Sequence, residues 1–291
     1  MTPARRSTSG QGSRARRCAT LLMAALALAA CKTVGTAVSE DEDQLQAASP
    51  ANIASLSDVV QRNPNDAQAY NMRGSVLGRA GRAQEALADF NKAIAIDPNY
   101  AQAYANRGQV QRQINKLDLA LADYNKALQL DASYATAYLG RGMVYRQQGH
   151  ALEAFNDYNR AIQMTPNNGQ AYYNRGLLYQ AQGQHKFAIE DFSTAVGLIQ
   201  NQAEPYVARG LSQIALGDVK AATEDLDLAV QIDPQSLTAW TSRGLAYERL
   251  GDKERAAGSY TKALNLNREH DAAKKGFARV GGKSGQTYQT F

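Results

Sequence analysis

Cysteine is almost missing from this chain, because Cys18 and Cys31 are its only two and no thiol follows Cys31. This absence excludes a disulfide framework, a cysteine-ligated metal site and a catalytic thiol from most of the chain. His150, His185 and His270 are the only histidines, and they lack the spacing of a metal-ligand set, so we expect them in solvated turns. Nucleotide-binding loops and nucleophile elbows are also missing, so the sequence predicts neither an enzyme nor a bound cofactor.

Acidic residues are absent from residues 1–30, whereas five arginines lie there. Because the whole chain has a formal net charge of +5, the residues after 30 are neutral as a group. A neutral body argues against a nucleic-acid partner, which requires a concentrated basic surface.

Long hydrophobic runs are missing too, and the only strongly apolar stretch is 19–30. A membrane-spanning helix needs about 20 apolar residues, so this shorter run after a cluster of arginines predicts a cleaved signal peptide over 1–30. Residues 28–31, Leu-Ala-Ala-Cys, resemble the lipobox of bacterial lipoproteins. The resemblance implies a lipid anchor on Cys31, and Lys32 after it is typical of sorting to the outer membrane, facing the periplasm. An ordinary secretory signal that contains a cysteine is the alternative.

A 34-residue period fills the chain from residue 67 to residue 270. The dipeptide Arg-Gly returns at every 34th position from Arg73-Gly74 to Arg243-Gly244. Alignment on this dipeptide gives six units, 67–100, 101–134, 135–168, 169–202, 203–236 and 237–270. In every unit the eighth residue is glycine, the twentieth and twenty-seventh are alanine, and the fourth is aromatic.

This pattern resembles the tetratricopeptide repeat, which implies an all-α fold: a right-handed superhelical solenoid of antiparallel helix pairs. The spacing agrees, because positions 4, 8 and 11 share one face of a first helix and positions 20, 24 and 27 share one face of a second. Glycine or asparagine at position 15 is typical of a helix end. Proline at position 32 ends the second helix in three units, so we expect less sharply defined joints at Ala132, Gln200 and Arg268.

The segments outside the six units have distinct compositions. Residues 31–50 are small, acidic and polar, which predicts a flexible tether. Residues 51–66 match the second helix of a preceding half-repeat, with Leu56 and Val59 at packing positions 24 and 27. Residues 271–280 are predicted to form a solvating cap helix for the solenoid, which spans 51–280. Residues 281–291 are predicted to be disordered.

Arginine recurs at position 7 of every unit, and aspartate occupies position 23 in five of them. In a hairpin that turns near position 15 these two positions lie close together, so we predict an ion pair within each unit. The predicted pairs are Arg73 with Asp89, Arg107 with Asp123, Arg141 with Asp157, Arg175 with Asp191, and Arg209 with Asp225. Unit six has Ser259 at position 23, so Arg243 is predicted to be unpaired. A row of arginines that binds phosphate or an acidic polymer is the alternative.

In the family that the pattern resembles, the first helices line a concave surface, and positions 2, 5, 9 and 12 face it. Units one and two offer mainly polar residues at these positions, whereas units three to five offer apolar residues at several of them. The predicted peptide groove comprises Leu139, Met143, Tyr173, Leu177, Val207, Leu211 and Ile214 together with the polar Asn71, Gln109 and Arg112. The alternative is that some of the apolar side chains pack neighbouring first helices. Lysine is absent from position 5, so the carboxylate clamp of chaperone-binding repeats is missing.

Together these features predict a non-catalytic adaptor, tethered by lipid to the bacterial envelope, that binds a protein or peptide partner in its concave groove. A pilotin, which escorts a secretin subunit to the outer membrane, is an alternative in the same class. A binder of cell-wall glycan that uses the arginine row is the alternative from a different class. Nucleic acid, a small-molecule substrate and a cofactor are not expected.

Overall fold

The computed structural model describes residues 49–283 and 285–288, and this part of the chain contains α-helices and turns without a β-strand. The helices are α1 Pro50–Arg62, α2 Ala67–Arg79, α3 Ala83–Ile96, α4 Ala101–Gln113, α5 Leu117–Leu130, α6 Ala135–Gln147, α7 Ala151–Met164, α8 Gly169–Ala181, α9 His185–Leu198, α10 Glu204–Leu216, α11 Val219–Ile232, α12 Leu237–Leu250, α13 Lys253–Leu266 and α14 Asp271–Arg279. Each unit supplies a first and a second helix, from α2 and α3 to α12 and α13, which confirms the predicted all-α solenoid. None of these helices is long and apolar enough to cross a membrane. The predicted signal peptide, Cys31 and nearly all of the tether lie outside the described residues.

Short turns separate the helices because particular residues stop each one. Five glycines and one asparagine at position 15 have φ between +59° and +89°, the left-handed conformation that ends a first helix. After the second helices, the Asp131 carboxylate accepts a hydrogen bond from the backbone N–H two residues later at 2.9 Å, and Asn267 makes the same turn. The joints after units two and six are therefore well defined, contrary to prediction. At Gln200 no such side chain precedes, and the chain turns through Asn201 with a φ of 57°.

Glycine at position 8 lets the two helices of a unit approach closely. A Cβ atom on Gly142 would lie 2.7 Å from Cε1 of Tyr158, whose ring is fully buried. The same distance separates such an atom on Gly176 from the ring of Phe192. The alanines at positions 20 and 27 are 0% exposed in all six units. The core of each unit is therefore a large side chain at position 24 enclosed by small residues.

The curvature of the array follows from unequal contacts between neighbouring units. Each first helix contacts the first helix of the next unit, from α2 against α4 to α12 against α14. Second helices of neighbouring units are not in comparable contact within the described residues, and each packs instead against the first helix that follows it. The first helices therefore line the inner, concave side, and the second helices form the outer, convex side.

The N-terminal helix α1 is the second helix of a half-repeat, but its burial differs from the prediction. Ser57 Oγ accepts a hydrogen bond from Arg73 Nη1 at 3.3 Å, which places Ser57 at repeat position 25. Val60 is buried, whereas Val59, the predicted packing residue, is 39% exposed. Position 27 normally packs against the first helix of its own unit. No such helix precedes α1 among the described residues, so Val59 stays uncovered.

The C-terminal helix α14 covers the last unit with one face and presents its lysines to solvent on the other. Beyond it, residues 285–288 fold back towards the helix. The Tyr288 ring meets the Phe277 ring edge-on with 5.8 Å between centroids, and the Tyr288 hydroxyl accepts a hydrogen bond from the Lys283 N–H at 2.5 Å. The sequence predicted disorder over 281–291, whereas the described part of that segment is held against α14 by this aromatic contact.

Candidate peptide-binding surface

Five arginines at position 7 form bidentate ion pairs with the aspartates at position 23 of the same unit. In unit three, Arg141 Nε and Nη2 donate to the two carboxylate oxygens of Asp157 at 2.8 and 2.7 Å. The pairs Arg73–Asp89, Arg107–Asp123, Arg175–Asp191 and Arg209–Asp225 have the same geometry at 2.6–2.8 Å. The structure thus brings together all five predicted pairs. The hydrogen bond to aspartate raises the pKa of each of these arginines, which keeps the guanidinium groups charged.

The same arginines also link neighbouring units. In each of them Nη1 donates at 2.6–3.3 Å to the residue at position 25 of the preceding unit, which is Ser57, Asn91, Asn125, Asn159 or Ser193. Each guanidinium also lies over the aromatic ring at position 4 of its own helix, at 5.5–5.8 Å from the ring centroid. These arginine side chains are only 19–22% exposed, so the row mainly serves the packing of the repeats.

The prediction that Arg243 is unpaired is wrong. Its Nε donates to Asp227 Oδ1 at 2.6 Å, and its Nη1 donates to Ser259 at 2.8 Å. Asp227 occupies position 25 of unit five, where the preceding units have serine or asparagine. The carboxylate partner of Arg243 therefore belongs to the neighbouring unit rather than to the unit of the arginine. Tyr247 also donates to Asp227 at 2.8 Å, and Arg243 is the most buried arginine of the row. Aspartate at position 25 followed by serine at position 23 of the next unit is the sequence signal for this exchange.

Six of the apolar residues predicted for the groove form a partly exposed stripe on the concave side. The stripe comprises Leu139 and Met143 of α6, Tyr173 and Leu177 of α8, and Leu211 and Ile214 of α10. Part of each side chain packs against buried residues, including Leu178 for the α6 pair and Ala208 for the α8 pair. The remainder of each side chain stays accessible. The sequence left two roles open for these residues, a peptide groove and the packing of neighbouring first helices. In the structure the same side chains both pack against the core and leave an apolar surface accessible.

Two predicted groove residues are buried between first helices. Val207 belongs to the core shared by units five and six. Asn71 donates to the Tyr100 hydroxyl at 3.2 Å and accepts from Asn106 Nδ2 at 2.9 Å. The structure therefore assigns both side chains to the packing between units rather than to the groove, because the next first helix covers them.

The concave side of units one and two is polar. Gln109 is exposed and lines a cavity of about 280 Å³ between α2 and α4. Ser75, Gly78, Arg79, Asn106 and Gln113 are among the other residues that line it. Phe90 and Val110 also line it, so the cavity presents apolar atoms beside amide, hydroxyl and guanidinium groups.

Two arginines at position 12 lie beside buried tyrosines. Burial raises the pKa of Tyr124 to about 12, and the neighbouring Arg112 opposes this rise. Burial likewise raises the pKa of Tyr158 to about 12 against the opposing effects of Arg146 and Arg112. Arg112 and Arg146 occupy the same repeat position on α4 and α6, two first helices that contact each other. Arg112 was predicted as a groove residue. Arg146 occupies the same repeat position in the next unit, but it was not predicted as part of the groove.

Two of the three histidines, His150 and His270, have structural surroundings. Tyr145 lies 6.0 Å from His150 between ring centroids, and His270 Nδ1 accepts the Ala273 N–H at the start of α14. Among residues 49–283 and 285–288, no three histidine, cysteine or acidic side chains are grouped so that they could hold a metal ion.

The helix pairs, their 34-residue period and their inward-facing first helices define a repeat solenoid. Sequence profiles described as TPR repeat match residues 74–114, 108–149 and 142–183. Profiles described as tetratricopeptide repeat match residues 169–202, 203–236 and 238–270. The chain therefore belongs to the tetratricopeptide repeat family, whose members are scaffolds for protein–protein interaction. No curated protein is significantly similar to it.

Several solved structures share the fold. YrrB, described as a TPR protein with an unusual peptide-binding site, is 30% identical with a TM-score of 0.53, over 64% of this chain and 96% of YrrB. Pseudomonas aeruginosa pilF is 22% identical with a TM-score of 0.67, over 73% of this chain and 97% of that protein. A chain of the APC/C hetero-tetramer Cut9-Hcn1 is 18% identical with a TM-score of 0.73, over 82% of this chain. This protein spans 47% of that longer chain. The last two similarities show the fold alone.

Proposed function

We propose that this protein is a non-catalytic adaptor of the bacterial cell envelope that binds a peptide segment of a partner protein on its concave surface. In this proposal a lipid on Cys31 holds the protein at the outer membrane, facing the periplasm. The signal-like residues 1–30 and the lipobox-like residues 28–31 support the anchor.

The stripe of partly exposed apolar side chains on α6, α8 and α10 is the observation that carries the peptide-binding role. An apolar surface that repeat packing does not fully cover favours an extended or helical peptide as its ligand. The similarity to YrrB, a TPR protein with a peptide-binding site, supports the same class of ligand.

Glycan binding through the arginine row is disfavoured by the engagement of its guanidinium groups. Three nitrogen atoms of Arg141 already donate to Asp157 and Asn125, and the equivalent atoms of the other arginines are used in the same way. An acidic polymer would have to displace these bidentate pairs, which are stronger than ordinary hydrogen bonds.

Affinity capture from detergent-solubilised envelopes tests the groove. We expect Leu177→Asp to lose the partner proteins that the wild-type chain retains, because a carboxylate interrupts the apolar stripe. Leu152→Asp is the matched control, since Leu152 is 70% exposed on the second helix α7. Thermal unfolding of both variants shows whether the fold is retained. Equal recovery of partners by wild type and Leu177→Asp would contradict the assignment of the groove.

A separate experiment tests the anchor. Cells grown with radiolabelled palmitate are expected to label the wild-type protein, and Cys31→Ala is expected to abolish both the label and the recovery of the protein with the outer membrane. Labelling that persists in the variant would exclude Cys31 as the acylated residue.

A further inference from the structure

The concave surface has a uniform sign of charge in its first four units. Positions 2, 5, 9 and 12 of these units include Arg112 and Arg146 and no acidic residue. Arg79, one position further along α2, lines the cavity between α2 and α4. The first acidic residue at one of these positions is Glu204, in unit five. Positive charge is therefore concentrated at the end of the groove that precedes the apolar stripe.

These arginines differ from the row at position 7. Every arginine of that row has a carboxylate within 2.7 Å. Arg79, Arg112 and Arg146 form no ion pair with a carboxylate in the described part of the chain. The Nε atom of Arg112 is shielded from solvent and has no hydrogen-bond acceptor among the described residues. Because Nε is shielded, a carboxylate of a ligand would bind the terminal N–H donors of Arg112 instead.

The dipole of a helix also attracts basic side chains to its last turn, and all three arginines lie in the last turns of α2, α4 and α6. That effect accounts for their position along the helix. It does not supply a carboxylate partner for them, whereas every arginine at position 7 has one.

The positive end of the groove is continuous with the apolar stripe. Arg146 follows Met143 by three residues and Leu139 by seven on α6, so the three share one face of the helix. The next first helix, α8, contacts α6 and carries Tyr173 of the stripe. One ligand can therefore contact the arginines and the stripe together.

We infer that the groove recognises a peptide with an acidic side chain next to apolar ones, the carboxylate lying between Arg112 and Arg146 and the apolar side chains on the stripe. This inference rests on the proposed peptide-binding function and adds the chemistry and direction of the ligand. Guanidinium groups bind carboxylates through paired N–H donors, which explains why arginine occupies this position. The acidic end of the peptide lies over units two and three, and its apolar end lies over units three to five.

Selection from a random peptide library on the purified full-length chain tests the ligand chemistry. We expect the selected peptides to contain aspartate or glutamate beside leucine, isoleucine or phenylalanine. The tightest peptide and its Glu→Gln or Asp→Asn counterpart are then titrated against wild type, Arg112→Gln/Arg146→Gln and Arg160→Gln. Arg160 is the matched control because it is an exposed arginine without an ion pair on the second helix α7.

The double variant is expected to bind the acidic peptide about 10- to 100-fold more weakly than wild type, the range for losing a charged hydrogen bond. The Arg160→Gln variant is expected to bind it as wild type does. Higher ionic strength is expected to weaken the wild-type complex more than that of the double variant.

The outcomes separate this inference from the proposed function. Selected peptides that are apolar but neutral or basic, or equal binding by wild type and the double variant, would overturn the acidic ligand and leave the groove intact. Failure to select any peptide would overturn the proposed peptide-binding function itself. Thermal unfolding of the double variant checks that weaker binding does not arise from unfolding.

Discussion

The Asp227→Ala substitution is expected to destabilise the C-terminal units, because it leaves Arg243 charged and without a carboxylate. The Arg243 side chain is 2% exposed and that of Asp227 is 34% exposed. Removing one partner of a fully buried ion pair costs about 3–5 kcal/mol. Because solvent screens part of the Asp227 charge, we expect the free energy of unfolding to fall by about 2–3 kcal/mol.

The repeat supplies a matched control for this substitution. Ser193 occupies the same position one unit earlier and accepts one hydrogen bond from Arg209, whose carboxylate partner Asp225 remains in place. We expect Ser193→Ala to lower the free energy of unfolding by about 0.5–1.5 kcal/mol. The double variant Asp227→Asn/Ser259→Asp gives Arg243 an aspartate at position 23 of its own unit and an asparagine at position 25 of the preceding unit, as Arg141 has in unit three. Its free energy of unfolding is expected to lie within about 1 kcal/mol of that of the wild type.

Urea unfolding followed by far-ultraviolet circular dichroism measures the total loss of stability. Hydrogen exchange of the amides in α12 and α13 shows whether the loss is local to unit six. Equal effects of Asp227→Ala and Ser193→Ala would refute the conclusion that Asp227 is the main charge partner of Arg243. A double variant that is as unstable as Asp227→Ala would refute the equivalence of the two carboxylate positions.

Three further changes are predicted. Gly142→Ala is expected to lower the free energy of unfolding by about 1–3 kcal/mol, because the added Cβ meets a buried ring. Gly197→Ala is expected to leave the free energy of unfolding unchanged or to raise it by up to about 1 kcal/mol, because no atom lies within 4 Å of its added Cβ. Equal melting temperatures of the two variants would contradict this expectation. The hydrogen bond from Arg279 lowers the pKa of Glu248 in the folded protein. The stability that this interaction contributes is therefore complete above the unfolded-state pKa of about 4.3, and it is lost as the pH falls through the lower folded-state pKa of Glu248. Glu248→Gln is accordingly expected to reduce the loss of melting temperature below about pH 4.3, and identical pH profiles would argue against that role. Tyr288→Ala is expected to speed proteolysis of residues 285–288 while the melting temperature stays nearly unchanged, and equal cleavage rates would show that the ring does not hold this segment.

The boundaries of the repeats were predictable from the sequence, because glycine at position 8 and alanine at positions 20 and 27 occur in all six units. Each glycine at position 8 faces a large side chain at position 24, so one error in alignment would place bulk against bulk in every unit. The same regularity concealed the partner of Arg243. The pairing rule came from positions within a unit, whereas Asp227 belongs to the preceding unit and pairs across the boundary.

The depth of groove residues was not predictable from their repeat position. Positions 5, 9 and 12 identify a helix face, but burial on that face depends on how closely the next first helix approaches. Val207 is covered, whereas Leu211, four residues later on α10, remains partly exposed. The contact of Tyr288 with Phe277 occurs once and outside the repeats, so no periodicity indicates it.

In unit six the carboxylate partner of the arginine lies at position 25 of the preceding unit instead of position 23 of the same unit. This difference changes how strongly units five and six are coupled in folding. In a one-dimensional description, each unit has an intrinsic folding free energy, and each boundary adds a coupling free energy between nearest neighbours. In units one to five the ion pair belongs to the intrinsic free energy, and only a neutral acceptor crosses each boundary. Between units five and six the whole ion pair belongs to the coupling free energy. Unit six is therefore less able to fold alone and more firmly joined to its neighbour, so units five and six are expected to unfold together rather than one after the other.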